Sequence, residues 1–273
     1  MCRYLLPVMP ATRVAVRQIW AGHSTLDRST SVMADFDAVA DSYDISRPRH
    51  PSGVYDTLGA LEGLDVLDIG AGTGIASRDL VARGASVTAV DLGPGVLARA
   101  KARLPRLPAV AADGARLPIR RSSTDLICFA QSWHWLDPAT RVAESVRVLR
   151  PRGRWAGWWS HARADGEPWF EAYWTAIEAT CTGTHRGQRD TNWGATLADS
   201  PFRVDERIVI PWRRPLTIDG WLADQRTHSY IVALRPSIRE QLLTQLVTIL
   251  REAFPDGDMS MPYETWMWIA ETT

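Results

Sequence analysis

From Ser52 onward, short apolar runs alternate with helix-length stretches, and this rhythm constrains the fold more than any other feature of the 273-residue chain. Residues 52–62 carry apolar side chains at helical spacing (Val54, Leu58, Leu61), and Leu64 to Ile69 is a short apolar run ending in glycines. The pattern then predicts a helix over 75–83, a strand from Ser86 to Asp91, a helix over 93–103 and a short strand over 108–112. A strand from Asp125 to Ala130, a helix over 138–149 and a strand from Gly153 to Ser160 follow. Strands separated by helices of this length pair in parallel, because each crossover returns the chain to the same end of the sheet. The expected core is therefore an α/β doubly wound, Rossmann-like sheet with helices on both faces.

After Ser160 the rhythm changes. Glu167 to Thr180 reads as a helix, 183–200 is polar, and Phe202 to Trp212 alternates as one strand. Two helices are expected over 218–233 and 236–253, and Tyr263 to Ala270 reads as a closing strand. No linker separates the halves, so 33–273 reads as one domain with a cofactor half over 33–160 and a second half over 161–273. Residues 1–32 are a separate question. Met1 to Leu26 has no acidic residue and three arginines, superficially like an organellar transit peptide, yet Pro7 and Pro10 interrupt any amphipathic helix. Met33 opens a segment that reads as a natural start, so 1–32 is expected to be a disordered leader or a mis-assigned start.

Charge and cysteine content narrow the function. With 31 basic and 31 acidic side chains, the chain has no surplus positive charge to neutralise a phosphate backbone, which disfavours nucleic acid as a partner. Cys2, Cys128 and Cys181 are widely spaced with no CxxC pair, so neither a disulfide framework nor a metal site is indicated and a reducing cytoplasm fits. No apolar stretch approaches the roughly 18 to 20 residues of a membrane span. The 13 tryptophans are distributed unevenly: Trp20 stands alone and the other twelve lie from Trp133 onward.

The chemistry-bearing segment is Val66-Leu67-Asp68-Ile69-Gly70-Ala71-Gly72-Thr73-Gly74. Glycines at a strand-to-helix turn let the backbone approach a ligand and aim N–H groups at it from the helix start. The dinucleotide fingerprint GxGxxG would put its third glycine at position 75, where Ile75 stands; the spacing here is GxGxG. Asp91 ends the second strand, where a carboxylate can accept from both ribose hydroxyls. Asp113-Gly114 follows the third strand, suited to an adenine edge, and Gln131 ends the fourth. All lie at carboxyl ends of strands, where doubly wound sheets bind ligands.

These segments resemble those of the class I S-adenosylmethionine-dependent methyltransferases, in particular a small-molecule subgroup with a methyltransferase type 11 domain. VLDIGAGTG is similar to their first motif, AVDLGPGVL to the ribose-binding segment, AADGARLP to the adenine-binding segment, and SVRVLRPRGRWAGWW to the helix-turn-strand after the fourth strand. Arg152 stands where the family usually has glycine. Tyr43 to Pro51 resembles the subgroup's YDxxRPxYP lead, and Ala130 to Asp137 its AQAFHWFD segment. The resemblance implies a seven-stranded sheet with a helical, aromatic acceptor-side insertion, S-adenosylmethionine as cofactor and a small-molecule acceptor. It implies cofactor contacts from Tyr43, Arg47, Asp68, Gly70, Ala71, Gly72, Thr73, Gly74, Asp91, Leu92, Asp113, Gly114 and Gln131, with Arg47 near the methionine carboxylate. Trp133, His134, Trp135 and Trp158 would line the acceptor pocket, and Trp159 flanks the same region.

Each residue also has a plainer reading. The glycine loop can be a turn, Asp91 a helix cap, Asp113 a turn residue, Arg47 a surface arginine, and Trp212, Trp221, Trp266 and Trp268 core. His134, the candidate catalytic residue, can be a general base, a pocket wall or a structural hydrogen-bonding group. The Asn/Asp-Pro-Pro-aromatic turn of amino-methylating DNA enzymes and the Pro-Cys nucleophile of cytosine enzymes are both absent after the fourth strand. A cofactor-binding regulatory module without turnover, a nucleotide-dependent oxidoreductase, and protein or RNA methylation are the alternatives. Oxygen, nitrogen and carbon acceptors stay open, as does the oligomeric state.

Overall fold

A computed structural model describes residues 49–273, so Tyr43, Arg47 and the leader over 1–32 lie outside the described residues. Helix α1 (Ser52–Leu58) leads to β1 (Asp65–Ile69), α2 (Ile75–Ala82), β2 (Ser86–Asp91) and α3 (Pro94–Arg103). Next come β3 (Ala109–Ala111), β4 (Thr124–Ala130), a 3-10 turn (Trp133–Trp135), α4 (Arg141–Val148) and β5 (Leu149–Ala162). The second half contributes α5 (Pro168–Thr180), β6 (Phe202–Val204), β7 (Ile208–Thr217), α6 (Ile218–Gln225), α7 (Ser229–Val232), α8 (Pro236–Ala253) and β8 (Asp258–Thr272). Proline at the first turn of α3, α5 and α8 starts each helix where a missing N–H costs nothing.

The sheet order is β3-β2-β1-β4-β5-β8-β6, with β7 also on β8. β1 to β5 pair in parallel, and β8 returns antiparallel along β5 from Arg154↔Glu271 to Ala162↔Tyr263. Its central strands are buried on both faces, as parallel strands between helical layers require: Leu126, Ile127, Cys128 and Phe129 are all fully buried. One face packs Val66, Cys128 and Trp158 against α1, α2 and α3; the other packs Ile127, Phe129 and Trp155 against α4. A third cluster joins α5, α6 and α8 to the outer ends of β7 and β8 through Tyr173, Trp221, Leu246 and Tyr263. Among the described residues no helix is long and apolar enough to cross a membrane.

The doubly wound architecture is as the rhythm predicts, with one strand more than seven. The stretch from Phe202 to Trp212 is two strands rather than one. Val204 pairs with Ala270 and Ile208 with Met267, so the β6–β7 side holds one more residue than β8 between these pairs. An extra residue of this kind is a bulge, and it exchanges the faces. Phe202 and Val204 therefore join the Trp155 face, whereas Ile208 and Ile210 join the Trp158 face, although all four share one parity in the sequence. The expected helix over 218–233 is broken after Gln225, where Thr227 turns back to bond the Asp224 carbonyl through its N–H and its hydroxyl.

β7 is an edge strand among the described residues, and its prolines protect that edge. The Pro262 carbonyl accepts from the N–H of Arg163, the residue just after β5, so the polar backbone of Pro262 points away from its β7 partner, Arg213. Arg213 must then point its own N–H and carbonyl outward, and so must Pro211 and Pro215, two positions away on either side. These prolines remove outward donors that would otherwise template another strand. Replacing both Pro211 and Pro215 with valine is expected to raise the average mass with concentration in light scattering, relative to the wild-type chain. An unchanged concentration dependence contradicts this account of the edge.

Candidate active site

The carboxyl ends of β1, β2 and β4 bring the glycine loop, Asp91 and Gln131 to one edge of the sheet, with Asp113 and Gly114 just after β3. Gly70, Gly72 and Gly74 have φ of 67°, 55° and 78°, the left-handed region that glycine enters without steric cost. Two of them also need the missing side chain. A Cβ on Gly70 would stand 2.5 Å from Ser132 Cβ, and one on Gly74 would stand 3.1 Å from Ala100 Cβ of α3. Gly72 differs: no atom of the described residues lies within 4 Å of where its Cβ would be. The middle of the loop thus faces open space. Ala71 and Thr73 are buried beside it.

Asp91 ties this loop to the next. Its two carboxylate oxygens accept from Gly72 N–H and Gly93 N–H, each at 2.9 Å. Leu92, beside it, is 49% exposed, an unusual exposure for a large apolar side chain at the end of a buried strand. Asp113 accepts from Ala115 N–H at 2.8 Å, and Gly114 lies so close to Ile69 that a Cβ would meet its side chain at 2.5 Å. Gln131 has φ of 58°, and its N–H donates to the Trp158 carbonyl at 2.9 Å, which turns the chain sharply at the end of β4. The Ser132 hydroxyl then donates to the Ile69 carbonyl, locking the β4 loop against the β1 loop.

Below the loop, Asp68 is fully buried. Its Oδ2 accepts from the Ser77 hydroxyl at 2.6 Å, while Oδ1 has no hydrogen-bond partner among the described residues. Burial raises its pKa to about 6, opposed by the Ser77 hydrogen bond. Oδ1 is therefore a buried acceptor without a donor.

The loop after β4 separates the four expected pocket residues. Trp133 is fully buried, with Phe129 at 4.7 Å, Trp155 at 5.2 Å and its indole N–H on Thr196 Oγ1 at 2.9 Å. Buried Arg141 lies over the same ring and donates to the Trp133 carbonyl. Trp133 is thus a core anchor, not a pocket wall: its ring fills the layer between β4 and β5. Trp158 is also fully buried, edge-on to His50 and Tyr55, and its indole N–H has no hydrogen-bond partner among the described residues. Trp135 is the exposed member, at 57%. His134 is half-buried, 4.8 Å from Trp135 and 5.7 Å from Trp193 between ring centroids. Burial and nearby Arg141 hold its pKa at about 4.

Trp266 and Trp268 are buried, as is Trp221, in keeping with the core reading of these residues; Trp212 is partly buried. Sequence reasoning missed Ser77, Ser132 and Trp193. The two serines act through distant partners that no local pattern exposes. A solitary tryptophan in the polar stretch over 183–200 was the one visible signal for Trp193.

A family model described as a methyltransferase domain matches residues 67–156. An uncharacterized methyltransferase of Mycobacterium tuberculosis is 30% identical over 233 residues, covering 84% of this chain and 92% of that protein. A demethylmenaquinone methyltransferase of Beutenbergia cavernae is 38% identical over 128 residues, 44% of this chain and 53% of that protein. Among solved structures, one from Anaeromyxobacter dehalogenans named as a type II methyltransferase has a TM-score of 0.64 at 24% identity, over 83% of this chain and 97% of that one. With the strand order and carboxyl-edge loops in place, similarity along nearly the whole mycobacterial protein shows that this chain belongs to the class I S-adenosylmethionine-dependent methyltransferases.

Proposed function

We propose that this enzyme methylates a small-molecule acceptor at the carboxyl edge of its sheet, with the cofactor held by the loops after β1, β2, β3 and β4. The observation that carries the reading is the Gly72–Asp91 pair, a carboxylate bridging the first two loops directly beside open space. When bound, S-adenosylmethionine supplies an electrophilic methyl carbon on a sulfonium sulfur. The residues present fit it. Gly70, Ala71, Gly72, Thr73 and Gly74 let backbone approach the ligand closely, and Asp91 with exposed Leu92 suits a ribose. Asp113 and Gly114 suit the adenine, and Gln131 closes the fourth loop. The unpartnered Oδ1 of Asp68 fits an ammonium or N–H donor. Tyr43 and Arg47, outside the described residues, are assigned to the methionine end by their motif alone.

Held by the loops after β1 to β4, the cofactor would supply its methyl group to the acceptor's lone pair in an in-line displacement. The protein's main contribution to such an in-line displacement is alignment and exclusion of water, worth about 7 to 11 kcal/mol in favourable systems. His134 and Trp135 flank the acceptor side, whereas Trp158, like Trp133, is packed in the core, against α1. Zero net charge and partial similarity to a protein named for demethylmenaquinone support a small acceptor over nucleic acid. The buried, unpaired Cys128 and Cys181 agree with a reducing cytoplasm.

Two measurements test this. Gly72→Ala meets no atom of the described residues, so its structural cost there is the left-handed backbone strain, about 1 to 2 kcal/mol. It is expected to fold and yet to weaken S-adenosylhomocysteine binding at least about tenfold in calorimetry, a loss of about 1.4 kcal/mol. Wild-type affinity in this variant contradicts the assigned site. The second concerns pH. Asp68 has a raised folded pKa, so its neutral form is favoured in the native state and stability rises as pH falls through about 6. Between about pH 7.5 and about pH 5.5 the wild-type chain is expected to gain about 1 kcal/mol of unfolding free energy relative to Asp68→Asn. Parallel pH responses in denaturant titrations of the two proteins rule out the buried, destabilised carboxylate.

A further inference from the structure

His134 is held by an arrangement that decides which of its nitrogens carries the proton. The preceding residue, Trp133, is anchored in the core by Thr196 and Arg141, which fixes the backbone of the 3-10 turn. From β5, the Trp159 indole nitrogen lies 3.2 Å from His134 Nδ1. Trp159 is itself held: it is buried, stacked on Trp193 at 5.1 Å with an 18° interplanar angle, and edge-on to Trp268 at 5.8 Å. An indole N–H is a donor with no acceptor capacity. The nitrogen it meets must therefore present a lone pair, and the proton of a neutral imidazole must sit on the other nitrogen.

We propose that Trp159 is a positioning residue that holds His134 as the Nε2–H tautomer, so that His134 offers the acceptor a hydrogen-bond donor and does not serve as its general base. Its place on the acceptor side rests on the functional reading above; its tautomer does not. An imidazole in this state recognises an acceptor group with a free lone pair, a carbonyl oxygen or oxyanion next to the atom that is methylated. Acting as a base at Nε2 would require the opposite tautomer, with two N–H groups, those of Trp159 and Nδ1, facing each other. Protonation would create the same conflict.

The surroundings act in the same direction. The charged group that acts on His134 is Arg141 from α4, and His134 in turn acts on His161 of β5; Trp135, Trp159 and Trp193 complete its aromatic neighbours. His161, two residues beyond Trp159 on the same face of β5, is likewise kept uncharged by burial and by Arg163 and Arg189. Among the described residues no carboxylate acts on either histidine to favour the imidazolium. The sequence left His134 open between base, pocket wall and structural group. The Trp159 bond selects a donor.

Long-range nitrogen–proton correlation spectra of the histidine-labelled full chain test this without any acceptor. His134→Gln identifies the His134 signals by their disappearance. In the wild-type protein, Nδ1 is expected in the unprotonated range and Nε2 in the protonated range, with no titration between about pH 5.5 and about pH 8. Trp159→Phe keeps an aromatic ring but removes the donor. It is expected to give mixed tautomers and to raise the His134 pKa by at least about one unit, a tenfold shift in the protonation equilibrium. A wild-type spectrum with the proton on Nδ1, or titration of His134 near its ordinary pKa, overturns the proposal even if the Phe variant does not fold. S-adenosylhomocysteine calorimetry on the same sample reports separately on the functional reading.

Discussion

A single carboxylate, Asp91, holds together the two loops on which the site depends. By accepting from Gly72 N–H and Gly93 N–H, it fixes the spacing between the ends of β1 and β2 and satisfies two backbone donors that the turns leave without partners. Charge-assisted bonds of this kind contribute about 1.5 to 3 kcal/mol each. The bridge is possible only because both strands run parallel and end at the same edge. The sheet order thus converts a residue at the end of one strand into a brace for the loop after another.

The same edge is made rigid from below. The Ser132 hydroxyl ties the loop after β4 to the Ile69 carbonyl, and Gly70 is small because Ser132 presses against it. Behind these loops the core is aromatic. Phe129, Trp133 and Trp155 pack at 4.7 to 5.6 Å, and such pairs add about 0.5 to 1.5 kcal/mol each beyond the area they bury. The crowding of tryptophan into the second part of the chain therefore has a cause in packing. β5 and β8 are long central strands buried on both faces, which consumes Trp155, Trp158, Trp159, Trp266 and Trp268. Trp135, in the 3-10 turn after β4, is instead exposed.

Most of the first half was legible because its information is local. Apolar runs of five to seven residues, helix-starting prolines and glycines at strand ends each carry their own physical signal, and Asp65–Ile69, Ser86–Asp91 and Thr124–Ala130 fall within a residue of the expected strands. The second half was less legible where the decisive partner is remote. The alternation from Phe202 to Trp212 looked like one face of one strand, yet a bulge opposite Met267 to Ala270 sends its two ends to opposite faces. Likewise, nothing near Trp133 in the sequence announces that Thr196 and Arg141 hold it in the core.

What the sequence determined by itself is the order of strands and helices, the glycine loop and the placement of acidic residues at strand ends, because these follow from short-range periodicity and backbone preference. The tertiary structure alone decided the chemistry of individual side chains. Asp68 becomes a destabilised acid because burial strips its water and leaves one oxygen without a donor among the described residues. His134 becomes a donor because a tryptophan 25 positions away approaches its Nδ1. Protonation depends on neighbours in space, and the sheet brings those neighbours together.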